Sequence, residues 1–252
     1  MIKIEHVETA GWEAALRGMR NPMNSWAKGD TDYKLYDSSM LKNGWIIEDV
    51  EEDHVLHVGT EDERLCMNLR NAGVEHRKYM RMIAVWCDIT APLYWWKQFD
   101  TYKVGTVANS CSTMHKIHAK EFTRDDFSCE DLLPLSLTSL DETINILNFW
   151  RYIYLNGGNV AETKKVTWGD RMEMCDCNDI AHTHYYPEDP IIWLQLIKLL
   201  PDEYNQKRTV MLNYEVLAKM YKERRHHKLQ EWHDICDWMK TLPASELIVG
   251  EE

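Results

Sequence analysis

Residues 139–158, SLDETINILNFWRYIYLNGG, constrain the fold more than any other stretch of this chain. Ile144, Leu147 and Tyr154 recur at helical spacing, Ser139-x-x-Glu142 reads as a capping box, and Gly157-Gly158 supplies a stop. A helix of that length with an apolar stripe has to bury the stripe against a second element. Candidates for further elements lie on both sides of it. MIKIEHVE alternates apolar and polar residues as a short strand does, GWEAALRGMR reads as a short helix, and EDERLCMNLRNAG as a helix ended by Gly73. YMRMIAVWCDI, broken by Pro92, fits a buried strand or a buried helix equally by periodicity. Residues 21–44, rich in Asn, Gly, Asp and Ser, read as a loop region, and helices are expected at about 209–225 and 228–241. The expectation is an α+β chain, helix-rich and a single domain over 1–252, with a central antiparallel or mixed sheet.

Charge and composition exclude several roles. Lys and Arg total 29 against 41 Asp and Glu, a net charge of −12, so the chain as a whole offers no attraction to nucleic acid or to an anionic membrane surface. With no leader-like N-terminal pattern and no apolar run long enough to span a bilayer, a cytoplasmic location is expected. Seven scattered cysteines favour reduced thiols over a disulfide framework. Cys175, Cys177, His182 and His184 form a tight group of soft ligands, but pairs separated by one residue crowd a tetrahedral zinc, and no metal is expected there.

Between residues 84 and 117 the chain reads AVWCDITAPLYWWKQFDTYKVGTVANSCSTMHKI. Trp95, Trp96 and Phe99 suit a core, although Trp95, Trp96 or Tyr102 could also stack on a flat ring. Lys97, Gln98 and Lys103 interrupt the apolar context, and the hydroxyl-rich stretch after them could cradle an anion. Near the C-terminus, KERRHHKLQEW holds a dense set of cations in which one arginine could grip a phosphate through its bidentate fork.

The segment APLYWWKQFDTYKVGTVANSCSTM resembles the signature of the flavin-dependent thymidylate synthases. There an Ala-Pro precedes apolar residues, then Arg-Gln, an Arg-His-Arg triplet, and a Ser-x-Arg further on. GVEHRKYMRMIAVW is similar to the family's histidine segment, with His76 at the flavin-contacting position. LNYEVLAKMYKERRHHKLQEW is similar to its late helix, with Arg225 at the arginine position. The resemblance covers residues 74–117 and 210–232. It implies an α+β fold, a homotetramer, and FAD, deoxyuridylate (dUMP), a folate and a reduced nicotinamide as reactants.

The departures are as informative. The triplet is Thr101-Tyr102-Lys103, the acidic position is Asn109, the serine is Cys111 and the arginine two further on is Thr113. Each charge-assisted hydrogen bond lost in this way is worth roughly 1.5–3 kcal/mol. On the resemblance, Gln98, Lys103, Ser112, Thr113 and Arg225 are the nucleotide and phosphate residues, with Lys103 and Arg225 as an anion clamp. His76, Tyr102 and Asn109 fall at cofactor positions, and Cys111 is a candidate catalytic thiol. Three readings stay open: a nucleotide-binding protein with the methyl-transfer chemistry lost, holding little or no FAD and serving to sequester a nucleotide or run altered chemistry; an active FAD-dependent synthase or dUMP methyltransferase; and an oligomer without a ligand.

Overall fold

In a computed structural model that describes residues 2–48, 54–160 and 183–250, the chain is a helix-rich α+β protein with antiparallel strand pairing. It divides into two compact units. The larger comprises Ile2–Thr90, Gln98–Asn109 and Arg208–Glu252, and the smaller Ala91–Lys97 and Ser110–Lys207.

The framework of the larger unit is a four-stranded sheet in the order Lys3–Ala10, Ala84–Pro92, Asn205–Asn213, Val107–Ser110; three of these strands extend a few residues past the unit's boundaries. The apolar run that periodicity left undecided is a strand, and Pro92 is its last residue. Val85, Cys87 and Ile89 are buried at alternate positions while Trp86 is exposed, the period-two pattern of a sheet with one covered face. The first strand pairs antiparallel with it, Ile4 opposite Ile89 and Ala10 opposite Ala84, and the register slips between Glu5 and Glu8. His6, at φ 52°, sits in that slip, as the extra residue of a bulge does.

Helix Trp12–Met19 follows, burying Trp12, Ala15, Leu16 and Met19. Residues 21–44 are more ordered than their composition suggests. They hold short 3-10 turns and the strand Asp32–Leu35, which pairs with His54–Val58 in a second sheet completed by Trp45–Glu48. Turn-forming residues masked a strand whose partner lies some twenty positions away.

The helix expected over 209–225 is half wrong. Residues 205–213 form a strand and the helix is Tyr214–Arg224, with Asn213 as its N-cap, its carboxamide oxygen accepting from Val216 N–H at 3.0 Å. Local apolar spacing suited either state, and the neighbouring strands decided it. Asn213 is buried, so Asn213→Ala should cost about 1–2 kcal/mol in urea unfolding; a loss below about 0.3 kcal/mol would deny the cap that role. Helix Tyr214–Arg224 packs on the 3-10 run Val74–Met82, on helix Gln230–Met239 and on the short helix Glu246–Val249.

The smaller unit is built on two packed helices, Pro134–Asn156 and Pro190–Leu199. Ile144 and Leu147 are buried in its core with Ile117, Phe122, Phe127 and Leu196. The long helix starts earlier than the capping-box pattern implies. Pro134 opens it, as proline at the first helical position does, which leaves Ser139 and Glu142 in its interior; Gly157 ends it, as expected. Trp95 and Trp96 are fully buried, edge to face at 4.9 Å, with the Trp96 indole N–H donating to the Gln206 carbonyl at 2.9 Å. Neither is available to stack on a ligand, so of the three aromatics considered for that role both tryptophans belong to the core.

Candidate functional site

The larger unit holds a polar cluster where the sequence placed part of its site. Helix Leu93–Phe99 ends with Gln98 in this unit, and Tyr102 follows one turn later. Gly105, at φ 80°, lets the backbone leave that turn, and a Cβ there would stand 2.6 Å from the Asn213 carboxamide nitrogen. From the end of helix Tyr214–Arg224 come Glu223 and Arg224, and from helix Gln230–Met239 comes Trp232.

These side chains form one connected network. The Arg224 guanidinium lies 4.7 Å from the Trp232 ring and 5.6 Å from the Tyr102 ring, and its Nε donates to the Tyr102 hydroxyl at 2.9 Å. The Tyr102 hydroxyl donates to Glu223 Oε2 at 2.8 Å. Trp232 Nε1 donates to Gln98 Oε1 at 2.8 Å, and Arg224 Nη1 approaches the same oxygen at 3.4 Å. The indole N–H, which can only donate, sets which way the Gln98 carboxamide points and leaves its amino group free of that bond. Burial, reinforced by the bond to Glu223, pushes the Tyr102 phenol up to about 12, so it stays protonated at neutral pH. Burial and the neighbouring Arg224 hold the His227 imidazole below the usual range. The cluster therefore presents one stacked, half-buried arginine beside an amide, an arrangement suited to an anion attached to a polar group.

The other predicted residues take no part in that hydrogen-bonded network. Arg225 is exposed at the C-cap of its helix, its backbone N–H donating to Tyr221 O at 3.0 Å. Lys103, His76 and Asn109 are also exposed in the larger unit. Tyr102 stands at a position the resemblance assigns to the cofactor, yet its hydroxyl is committed to Arg224 and Glu223. Cys111, Ser112 and Thr113 belong to the smaller unit. The Ser112 hydroxyl accepts from the N–H groups of Met114 and His115 at 3.1 and 3.2 Å, which makes it the N-cap of helix Thr113–Lys116. Cys111 is an exposed free thiol, and among the described residues no side chain is hydrogen-bonded to its sulfur. Cys175, Cys177 and His182 lie outside the described residues. His184 is exposed with its ring against Tyr186, and among the described residues no group of ligating side chains could hold a metal ion. Among those residues, too, no helix is long and apolar enough to cross a membrane.

Arg224 and Glu223 were not among the residues singled out from the sequence. Helix Tyr214–Arg224 buries Tyr214, Val216, Leu217, Ala218, Met220 and Tyr221, a face too broad to single out one of the two arginines. Position 224 lies at i+7, i+4 and i+3 from Leu217, Met220 and Tyr221, and position 225 at i+7 and i+4 from Ala218 and Tyr221, so the contacts with Trp232 and Tyr102 are what distinguish Arg224.

The fold has solved counterparts. Over 100% of this chain and 98% of its own, a thymidylate synthase X from Helicobacter pylori, determined with FAD and dUMP, superposes with a TM-score of 0.58 at 12% identity. A second structure of the flavin-dependent enzyme from the same organism, also with FAD and dUMP, gives 0.57 at 11% identity over 99% and 98% of the two chains. A UMP/dUMP methylase, PolB from Streptomyces cacaoi, bound with 5-Br dUMP, gives 0.53 at 10% identity over 96% and 89%. No protein-family model and no curated protein sequence matches the chain. The protein therefore has the fold of the flavin-dependent thymidylate synthases and of a related dUMP methylase along its whole length.

Proposed function

We propose that residues 1–252 act as a single nucleotide-binding domain for a pyrimidine mononucleotide, with the methyl-transfer chemistry lost and the nucleotide sequestered or put to another use. The observation that carries this reading is the Arg224 guanidinium held over Trp232 and Tyr102 beside Gln98. A stacked arginine meets a phosphate already oriented, which lowers the entropy of forming each charge-assisted bond. Support for the ligand class comes from the solved counterparts, which were determined with dUMP or its 5-bromo analogue.

The residues at the flavin positions support a loss of flavin binding. Two of the three triplet positions carry no cation, the Tyr102 hydroxyl is turned inward to Glu223, and His76, Lys103 and Asn109 are exposed side chains. Calorimetric titration of freshly purified protein with dUMP, UMP and FAD is the direct test. Mononucleotide binding with flavin content far below one per chain is the expected result. No heat from either mononucleotide would defeat the nucleotide reading, and flavin near one per chain would restore the enzyme.

The assembly implied by the resemblance is a homotetramer. It is supported by large apolar side chains on the surface of the isolated chain, Leu133 and Leu135 at 75% and 84% exposure among them. Light scattering should give about four chain masses; a single chain mass across a broad concentration range would refute it.

A further inference from the structure

Away from the Gln98–Arg224 cluster, the larger unit has a cavity of about 340 Å3 between helix Trp12–Met19, the turns that follow it and the second sheet. Its wall includes Glu13, Arg17, Trp26, Asp32 and Tyr33, with the Arg20–Asp62 pair at its base. A second cavity of about 270 Å3 shares Glu13, Tyr33 and Leu56 with the first. The larger volume sits at the lower end of the range of ligand pockets, roughly 300–1,000 Å3.

The base is preorganised. Arg20 and Asp62 are 6% and 2% exposed, so their ion pair is held away from water. Asp62 accepts from Arg20 Nε at 2.7 Å, from the N–H groups of Asp30 and Thr31 at 3.0 and 3.1 Å, and from the Thr31 hydroxyl at 2.7 Å. Asp30 reciprocates by accepting from the N–H groups of Glu61 and Asp62, both at 2.9 Å, at the start of helix Thr60–Asn71. Gly59 permits that approach, because a Cβ there would lie 2.3 Å from the Asp30 carboxyl carbon. Asp30 and Thr31, which lead directly into the strand that carries Asp32 and Tyr33, are thus tied to the start of that helix. On the opposite wall the Trp26 indole is steadied by its N–H donating to Asn21 Oδ1 at 2.8 Å.

Above this base the charges are open. Glu13 and Arg17 lie one turn apart on the same helix, in the order that normally forms an ion pair. They do not pair with each other, and among the described residues neither has any other partner. One carboxylate and one guanidinium, unpaired, face a single small cavity whose wall also offers two exposed aromatic rings, Trp26 at 52% and Tyr33 at 43%.

From this arrangement we infer that the cavity binds a small zwitterion with a flat apolar group, of the class of an aromatic α-amino acid. Its carboxylate meets Arg17, its ammonium meets Glu13, with Asp32 adding negative potential, and its ring packs against Trp26 and Tyr33. A simple anion would meet Glu13 and Asp32, and a simple cation would meet Arg17; only a dipolar ligand satisfies both signs.

Calorimetry with three probes separates these contributions: L-tryptophan, tryptamine, which lacks the carboxylate, and indole-3-propionate, which lacks the ammonium. L-tryptophan should bind about tenfold tighter than either analogue, one charge-assisted contact in each comparison. Arg17→Ala should remove the advantage over tryptamine, and Glu13→Gln the advantage over indole-3-propionate. Both side chains are exposed, so neither change should lower the urea midpoint. The inference fails if L-tryptophan gives no heat, if the three probes bind the wild-type protein equally, or if the two variants leave their ratios unchanged. The wild-type comparison does not depend on any variant folding. Titration of dUMP into the same two variants should match the wild type, which keeps this test separate from the nucleotide reading.

Discussion

Replacing Arg224 by alanine should weaken mononucleotide binding by about 2–4 kcal/mol, the range for truncating a desolvated charged contact, while Arg225→Ala changes it by less than about 0.5 kcal/mol. The asymmetry follows from placement. Arg224 is half-buried against Trp232 and Tyr102 and bonded to the Tyr102 hydroxyl, whereas Arg225 is exposed at the helix end. Arg224 also contributes to packing, so its loss has to be divided between binding and stability. Arg224→Lys makes that division: it keeps the charge and an aliphatic stem against the rings but gives up the planar fork. If affinity follows the fork, the lysine variant binds nearly as poorly as the alanine variant while unfolding close to the wild-type urea midpoint. A larger loss from Arg225→Ala than from Arg224→Ala would return the phosphate role to Arg225, the residue that the resemblance singles out. Lys103→Ala, at an exposed position, should lower affinity by about 1 kcal/mol or less.

Asp62→Ala should have the largest effect on stability, about 3–5 kcal/mol in urea unfolding. The change leaves the Arg20 guanidinium without its counter-charge at 6% exposure. It also removes the acceptor of the Asp30 and Thr31 amides. An uncompensated buried cation accounts for most of the expected loss, and the freed loop for the rest. The same variant should lose L-tryptophan binding, because the residues it releases, Asp30 and Thr31, lead directly into Asp32 and Tyr33. A loss below about 1 kcal/mol would mean that water reaches Arg20 readily, and that the base of the cavity is not the rigid platform described above. Replacing Arg20 and Asp62 together by leucine and a small apolar residue should cost less than Asp62→Ala alone, since no orphaned charge remains.

Gln98 and Tyr102 could be read along the chain as site candidates, and the structure sets Arg224 against Tyr102 and Trp232, next to the Arg225 that the resemblance singles out. A helix turns by about 100° per residue, so adjacent arginines face different surroundings. The ring contacts with Trp232 and Tyr102 pick out Arg224. Motif spacing counted from Trp232 selects Arg225, because it carries no information about which face is covered. The Ser139-x-x-Glu142 pattern misled for a related reason. A capping box works only at a helix start, and Pro134 had already begun this helix.

What the sequence determined alone was the part set by local chemistry: the helix through Ile144 and Leu147, its stop at Gly157, the strand at the N-terminus, and the charges missing from the segment that resembles a synthase. Steric and torsional preferences act within a few residues, so they are legible in a window of that size. Tertiary structure decided the rest. It made 205–213 a strand, because the backbone N–H and C=O groups of an ambiguous apolar run go to whichever partners the fold supplies. It placed Trp95 and Trp96 in the core, and it joined Arg20 to Asp62 and Gln98 to Trp232 across 42 and 134 positions. Such pairs depend on long-range chain closure, and their stability comes from exclusion of water, which no local pattern records.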